Sequence, residues 1–177
     1  MSDDWSQSSA ADLGRRIEAG RIDPRDLAEV FLAAIAAHPD RDRIYARIHP
    51  ERTRRAAAEA TERARSGMRR GPLDGVPVCW KDNIDIAGEV TEAGSKLLAG
   101  RVPERDAVVF ANAEKAGLVS LGKTHLSELA FSGLGVNPVT ATPPNAFDPR
   151  RAPGGSSSGT AVAPPGVRIR IPRDPRA

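Results

Sequence analysis

The stretch "GPLDGVPVCWKDNIDIAG", residues 71–88, decides the fold. Val76, Val78 and Trp80 alternate with Pro77, Cys79 and Lys81, the period-two pattern of a strand. Downstream, "ERDAVVFANAEKAG" (104–117) sets Val108, Val109, Ala113 and Ala116 at helical spacing, with Gly117 placed just past the helix end. "LVSLGKT" (118–124) is then a short apolar strand. Strand, helix and strand in succession predict an α/β fold with parallel pairing.

Upstream, the first 70 residues read as helices. In "DPRDLAEVFLAAIAAH" (23–38), Asp23 stands at the N-cap and Pro24 at the first helical position, where its missing N–H costs nothing. Leu27, Val30, Phe31, Ala34 and Ile35 recur at helical spacing and predict one apolar face. "HPERTRRAAAEATERARSG" (49–67) is rich in Ala, Arg and Glu, with Gly67 placed to end it. Its stripe is mostly alanine, so it can approach a neighbour closely while burying little area.

Composition narrows the function classes. Forty percent apolar and 28% charged residues in 177 are values of a soluble globular chain with room for one domain. The basic residues Arg52, Arg54, Arg55, Arg63 and Arg65 come with few aromatics, which argues for a solvated helix face over direct nucleic-acid binding. One cysteine, Cys79, excludes an internal disulfide and fits a reducing compartment, where it reads as a buried strand residue. Acidic residues in "MSDDWSQSSA" and the absence of an apolar run of ~18 residues point to a cytoplasmic protein with no membrane segment.

Two features carry chemistry. Lys81 closes a strand with apolar flanks, and desolvation there disfavours the ammonium form, which is how a lysine becomes a usable base near neutral pH. The second is "APGGSSSGTAVA" (152–163), at the end of a Gly-, Pro-, Ser- and Asn-rich loop that begins at Ser132. Gly159–Ala163 can start a helix, which would set three hydroxyls and several free N–H groups at its N-terminus. Residues 155–159 match G-x-S-x-G, yet all three histidines (His38, His49, His125) lie upstream, whereas a nucleophile elbow needs one downstream. No Gly-Lys-Ser/Thr closes the loop as a phosphate cradle, and no Cys/His cluster suits a metal.

Three motifs in order, "GPLDGVPVCWKDNID", "GKTHLSELAFSGLGVNP" and "APGGSSSGTAVA", resemble the amidase signature family from about Arg70 to Ala163. The resemblance implies N-terminal helices followed by part of a mixed, largely parallel sheet layered with helices. It divides the chain into a helical segment (1–70), a partial amidase signature domain (71–163) and an aberrant tail (164–177). It also implies hydrolysis of a small-molecule carboxylic amide by a Ser–Ser–Lys triad, without metal or organic cofactor. By position, Lys81 would be the base and Ser156 the bridging serine, held by a cis peptide from Gly155. Phe131 and Ser132 would line the acyl pocket, while Ser157 and Ser158 would shape the loop.

The chain departs from the family pattern at its end. The attacking serine should follow the bridging serine by about two dozen residues, yet no serine occurs after Ser158. Ten of the last fourteen residues are Pro, Arg, Gly or Ala, and Pro164 and Pro165 interrupt the expected helix at ~3 kcal/mol each. The tail reads as out-of-frame translation after Ala163 or, alternatively, as the junction of an internal deletion. The expectation is an amidase by descent that is inactive alone. A non-catalytic remnant and the glutaminase (A) subunit of a tRNA-dependent amidotransferase are the alternatives.

Overall fold

The structure, a computed structural model, describes Trp5 and residues 8–163. Helix α1 (Ala10–Glu18) is capped by Ser9, whose hydroxyl accepts from the Asp12 N–H, and it buries Leu13 and Ile17. Helix α2 (Pro24–Ala37) starts as the sequence dictates, with the Asp23 carboxylate accepting from the Arg25 N–H and Pro24 inside the first turn. Its buried face is Leu27, Ala28, Phe31, Leu32 and Ile35. Val30, expected on that face, is exposed. At 100° per residue it lies well away from the centre of the stripe, whereas Leu32 falls within it.

A short helix α3 (Arg41–Ile44) leads directly into strand β1 (Tyr45–Ile48), and helix α4 (Pro50–Arg65) follows. The first 70 residues are therefore not wholly helical. Four residues between a helical turn and Pro50 are too few to show a clear alternation. Strand β2 (Pro77–Lys81), helix α5 (Val108–Lys115), strand β3 (Val119–Thr124) and helix α6 (Ser158–Val162) complete the order.

The sheet is mixed, in the order β1-β3-β2. β2 and β3 run parallel, with Trp80 opposite Lys123 and Lys81 opposite Thr124. β1 is antiparallel to β3, so one sheet joins strands from both sides of residue 70. The core gathers Leu13, Ile17, Leu27, Phe31, Ile35, Ile44, Tyr45, Val76, Cys79 and Leu121. Burial pushes the Cys79 thiol up to about 12, which keeps it protonated.

Helix α5 turns differently from the sequence reading. Val108 and Val109 are 76% and 53% exposed, and the helix is anchored instead by fully buried Phe110. Its ring meets Trp80 edge-on at 5.2 Å, and the Arg52 guanidinium lies 5.2 Å from its centroid. Four of the five arginines of α4 form ion pairs: Arg52 with Glu114 at 2.8 Å, Arg54 with Glu29 at 2.7 Å, Arg63 with Asp74 at 2.6 Å and Arg65 with Asp23 at 3.0 Å. Among the described residues, no helix is long and apolar enough to cross a membrane. The proline-arginine tail, and the frameshift reading that rests on it, lie outside the described residues.

Candidate active site

Lys81 ends β2, where the strand leaves the sheet. Its Nζ donates to Ser156 Oγ at 2.6 Å. Burial lowers the proton affinity of the amine below the ordinary lysine value. The two residues singled out from the sequence are thus brought together by the fold. The peptide bond between Gly155 and Ser156 is cis.

The serine loop is held from several sides. The Gly155 N–H donates to Gly133 O at 2.8 Å, and the Gly135 N–H donates to Pro153 O at 2.8 Å. The Ser127 N–H donates to Ser156 O at 3.1 Å, which fixes the serine from the opposite side of the loop. Behind it, Gly159 N–H donates to His125 O at 2.9 Å as α6 begins. A side chain at Gly159 would meet His125 N at 2.8 Å and the Ile44 carbonyl, so only glycine lets the helix approach β3 this closely. The Thr124 and Thr160 hydroxyls, 2.7 Å apart, join the same strand and helix. Ser157 is the exposed N-cap of α6. Ser158 is fully buried, and its hydroxyl is turned toward His125 O at 3.5 Å.

Phe131 and Ser132 lie next to Ser127, whose hydroxyl donates to Ser132 O at 3.2 Å. They line an open depression of about 390 Å³ with Ser127, Glu128, Leu129 and Val136. Phe131 is 93% exposed. Ser127 links the two regions: its N–H meets Ser156 O, and its hydroxyl donates to Leu134 O at 2.6 Å.

Sequence reasoning missed Asn137, a buried residue that braces this loop. Its Nδ2 donates to Gly94 O at 2.9 Å and Leu126 O at 2.8 Å, and its Oδ1 accepts from the Val139 and Thr140 N–H groups. An asparagine before a proline reads locally as a turn, and nothing nearby in sequence shows the long-range carbonyls it satisfies. Among the described residues, no group of three or more His, Cys, Asp or Glu could hold a metal ion.

Comparison with known proteins adds the family. The Amidase family model matches residues 26–164. The chain is 39% identical over 147 residues to the A subunit of the glutamyl-tRNA(Gln) amidotransferase of Chloroflexus aurantiacus, covering 83% of this chain and 30% of that one. It is 38% identical over 152 residues to the protein of the same name from Anaeromyxobacter sp., covering 86% and 31%. The native peptide amidase of Stenotrophomonas maltophilia superposes with a TM-score of 0.79 at 37% identity, covering 90% of this chain and 34% of that one. The chain therefore spans about a third of the length of these relatives. With the motif order, the mixed sheet and the match over 26–164, this chain belongs to the amidase signature family.

Proposed function

We propose that Lys81 and Ser156 form the proton-relay half of a site that hydrolyses carboxylic amide C–N bonds. The observation that carries this reading is the 2.6 Å contact between Lys81 Nζ and Ser156 Oγ. A neutral lysine takes a proton through the bridging hydroxyl, which in turn activates an attacking serine, and N–H groups beside that serine hold the developing oxyanion. Burial favours the neutral amine this scheme needs. The substrate is a small-molecule amide whose acyl part lies against Phe131 and Ser132. No cofactor takes part in this reaction scheme, and the setting is cytoplasmic.

Residues 159–177 contain no serine that could take the attacking role in this scheme. The purified chain is accordingly expected to leave a panel of small amides intact. Turnover that disappears in Lys81→Ala would overturn that expectation. The relay itself is tested in a chimera that joins residues 26–163 to the matching remainder of the Stenotrophomonas maltophilia peptide amidase. Amide hydrolysis should fall by about 10³-fold or more in both Lys81→Ala and Ser156→Ala. Full activity in either variant removes that residue from the reaction.

A second reading is favoured by the 39% identity to the amidotransferase protein of Chloroflexus aurantiacus: the same relay would serve a glutaminase that works with partner subunits. Joined to the remainder of that relative, the chain would then release ammonia from glutamine in preference to peptide amides. The opposite preference selects the general amidase.

A further inference from the structure

The Lys81–Ser156 pair has a second chemical use, one that needs no further serine. Ser156 is half-buried, and its neighbours Gly154, Gly155 and Ser157 are exposed. A side chain built at Gly154 would meet nothing within 4 Å, so the loop is open to solvent on that side. The residue itself is held in place, because its carbonyl accepts from the Ser127 N–H at 3.1 Å. A small molecule can therefore reach the hydroxyl while the partner amine stays fixed at the end of β2.

Among the described residues, Lys81 Nζ bonds only to Ser156 Oγ, at 2.6 Å, and pairs with no carboxylate. Burial lowers its proton affinity, and no anion opposes the loss of the proton. Once the amine is neutral, the same contact runs in reverse, with the Ser156 O–H donating to nitrogen. A serine hydroxyl bonded to a neutral lysine is an activated nucleophile in its own right. The competing nucleophiles are worse placed. Ser157, the middle residue of the G-x-S-x-G match, is exposed and has no bond to the lysine. The Cys79 thiol is buried and kept protonated.

We propose that Lys81 and Ser156 form an acyl-accepting dyad by themselves, with Ser156 Oγ as the nucleophile toward activated carboxylic esters. Oγ attacks the ester carbonyl carbon and its proton passes to Lys81 Nζ. The bond from that carbon to the aryl oxygen then breaks, a phenolate leaves with the electron pair, and an acyl ester remains on Ser156. An amide does not complete this step, because its amine must be protonated before it can depart. A phenolate leaves unprotonated, which makes aryl esters the substrate class that this pair can use. The inference shares with the proposed function the lysine as base, and differs from it in making Ser156 the attacking group.

The test uses the 177-residue chain and p-nitrophenyl acetate. A burst of p-nitrophenolate approaching one equivalent per chain is expected, with the acetyl group found on Ser156 by peptide mass spectrometry. Neutral hydroxylamine removes an acetyl ester from serine and leaves acetyl amides on surface amines, which separates the dyad from nonspecific labelling. Lys81→Met should slow acylation of Ser156 by about 100-fold or more, the ordinary worth of a positioned general base. The chain has four lysines, Lys81, Lys96, Lys115 and Lys123. In a ¹³Cε-lysine-labelled sample, acylation should move the Lys81 signal, since it removes the hydroxyl that Nζ touches.

An unmodified Ser156 in the parent chain, or acetyl on Lys81 or Ser157 in its place, would overturn the proposal. So would a loss of less than about tenfold in folded Lys81→Met. Mapping the parent chain decides the site even if a variant does not fold. The two readings fail separately. An unreactive Ser156 beside a chimera that needs both residues for amide hydrolysis leaves the relay standing and removes the dyad. Lysine-dependent acylation of Ser156 beside a chimera indifferent to both residues does the reverse.

Discussion

Lys81 Nζ meets Ser156 Oγ at 2.6 Å although 75 positions separate the two residues in the chain. Two independent supports make the meeting possible. The β2–β3 pairing holds Lys81 opposite Thr124, and the Thr124–Thr160 and His125–Gly159 contacts hold the start of α6 against β3. Ser156 lies on the loop between those supports, and its carbonyl is bound by Ser127.

Lys81→Met should stabilise the chain at pH 7 by on the order of 1 kcal/mol or less. Burial lowers the amine's affinity for a proton, so the folded chain binds that proton less well than the unfolded one. The penalty is full below the lowered folded midpoint and fades as pH rises toward the ordinary lysine value of about 10.4. Urea denaturation of both chains from about pH 7 to 10.5 checks this. The parent should gain stability with pH across that window relative to Lys81→Met, and parallel curves would contradict the prediction.

Asp74→Ala should cost about 3–5 kcal/mol, because it leaves the Arg63 guanidinium largely buried and unpaired. Asp74 accepts from Arg63 at 2.9 and 2.6 Å and from the Arg70 N–H at 2.9 Å. Burial works to raise its pKa, but these three bonds outweigh it and hold the carboxyl below the usual range. A depressed carboxyl contributes stability above its unfolded value of about 3.9 and loses it as pH falls through the folded value. The parent should therefore lose stability on acidification below about pH 4 more steeply than Asp74→Ala, as read by circular dichroism.

Phe110→Ala should destabilise by about 3–5 kcal/mol, the ordinary result of emptying a fully buried aromatic site. It also removes the ring beside Trp80. The fluorescence of Trp80 should therefore change at low denaturant, before global unfolding. A variant of unaltered emission and midpoint would show that α5 is not anchored by this ring.

Gly159→Ala should cost about 2 kcal/mol and weaken the Lys81–Ser156 contact without touching either residue. Its added methyl would collide with backbone of His125 and Ile44, forcing α6 off β3. The Lys81 ¹³Cε signal reports the second effect independently of the denaturation midpoint. An unchanged signal together with full stability would refute the tight approach.

Local grammar accounts for most of what can be read from the chain. The Asp23 cap with Pro24, the left-handed Gly67 and Gly117 that end their helices, and the β2 alternation all arise from interactions within a few residues. Val108 and Val109 mislead on α5 for the same reason. Helical spacing identifies candidates for a buried face, while the neighbouring Trp80 and Arg52 decide that Phe110 is the anchor.

Residue order alone is enough for the helix and strand succession, the parallel β2–β3 unit and, through three motifs in order, the amidase signature family. The closed fold is needed to see that β1 joins the sheet antiparallel, that Asn137 ties its loop to Gly94 and Leu126, and that Lys123 is buried against the residue following Lys81. Caps and alternation are short-range, so adjacent residues reveal them. Strand partners, carbonyls satisfied across the fold and charges neutralised at a distance depend on residues that meet only after the chain has closed on itself.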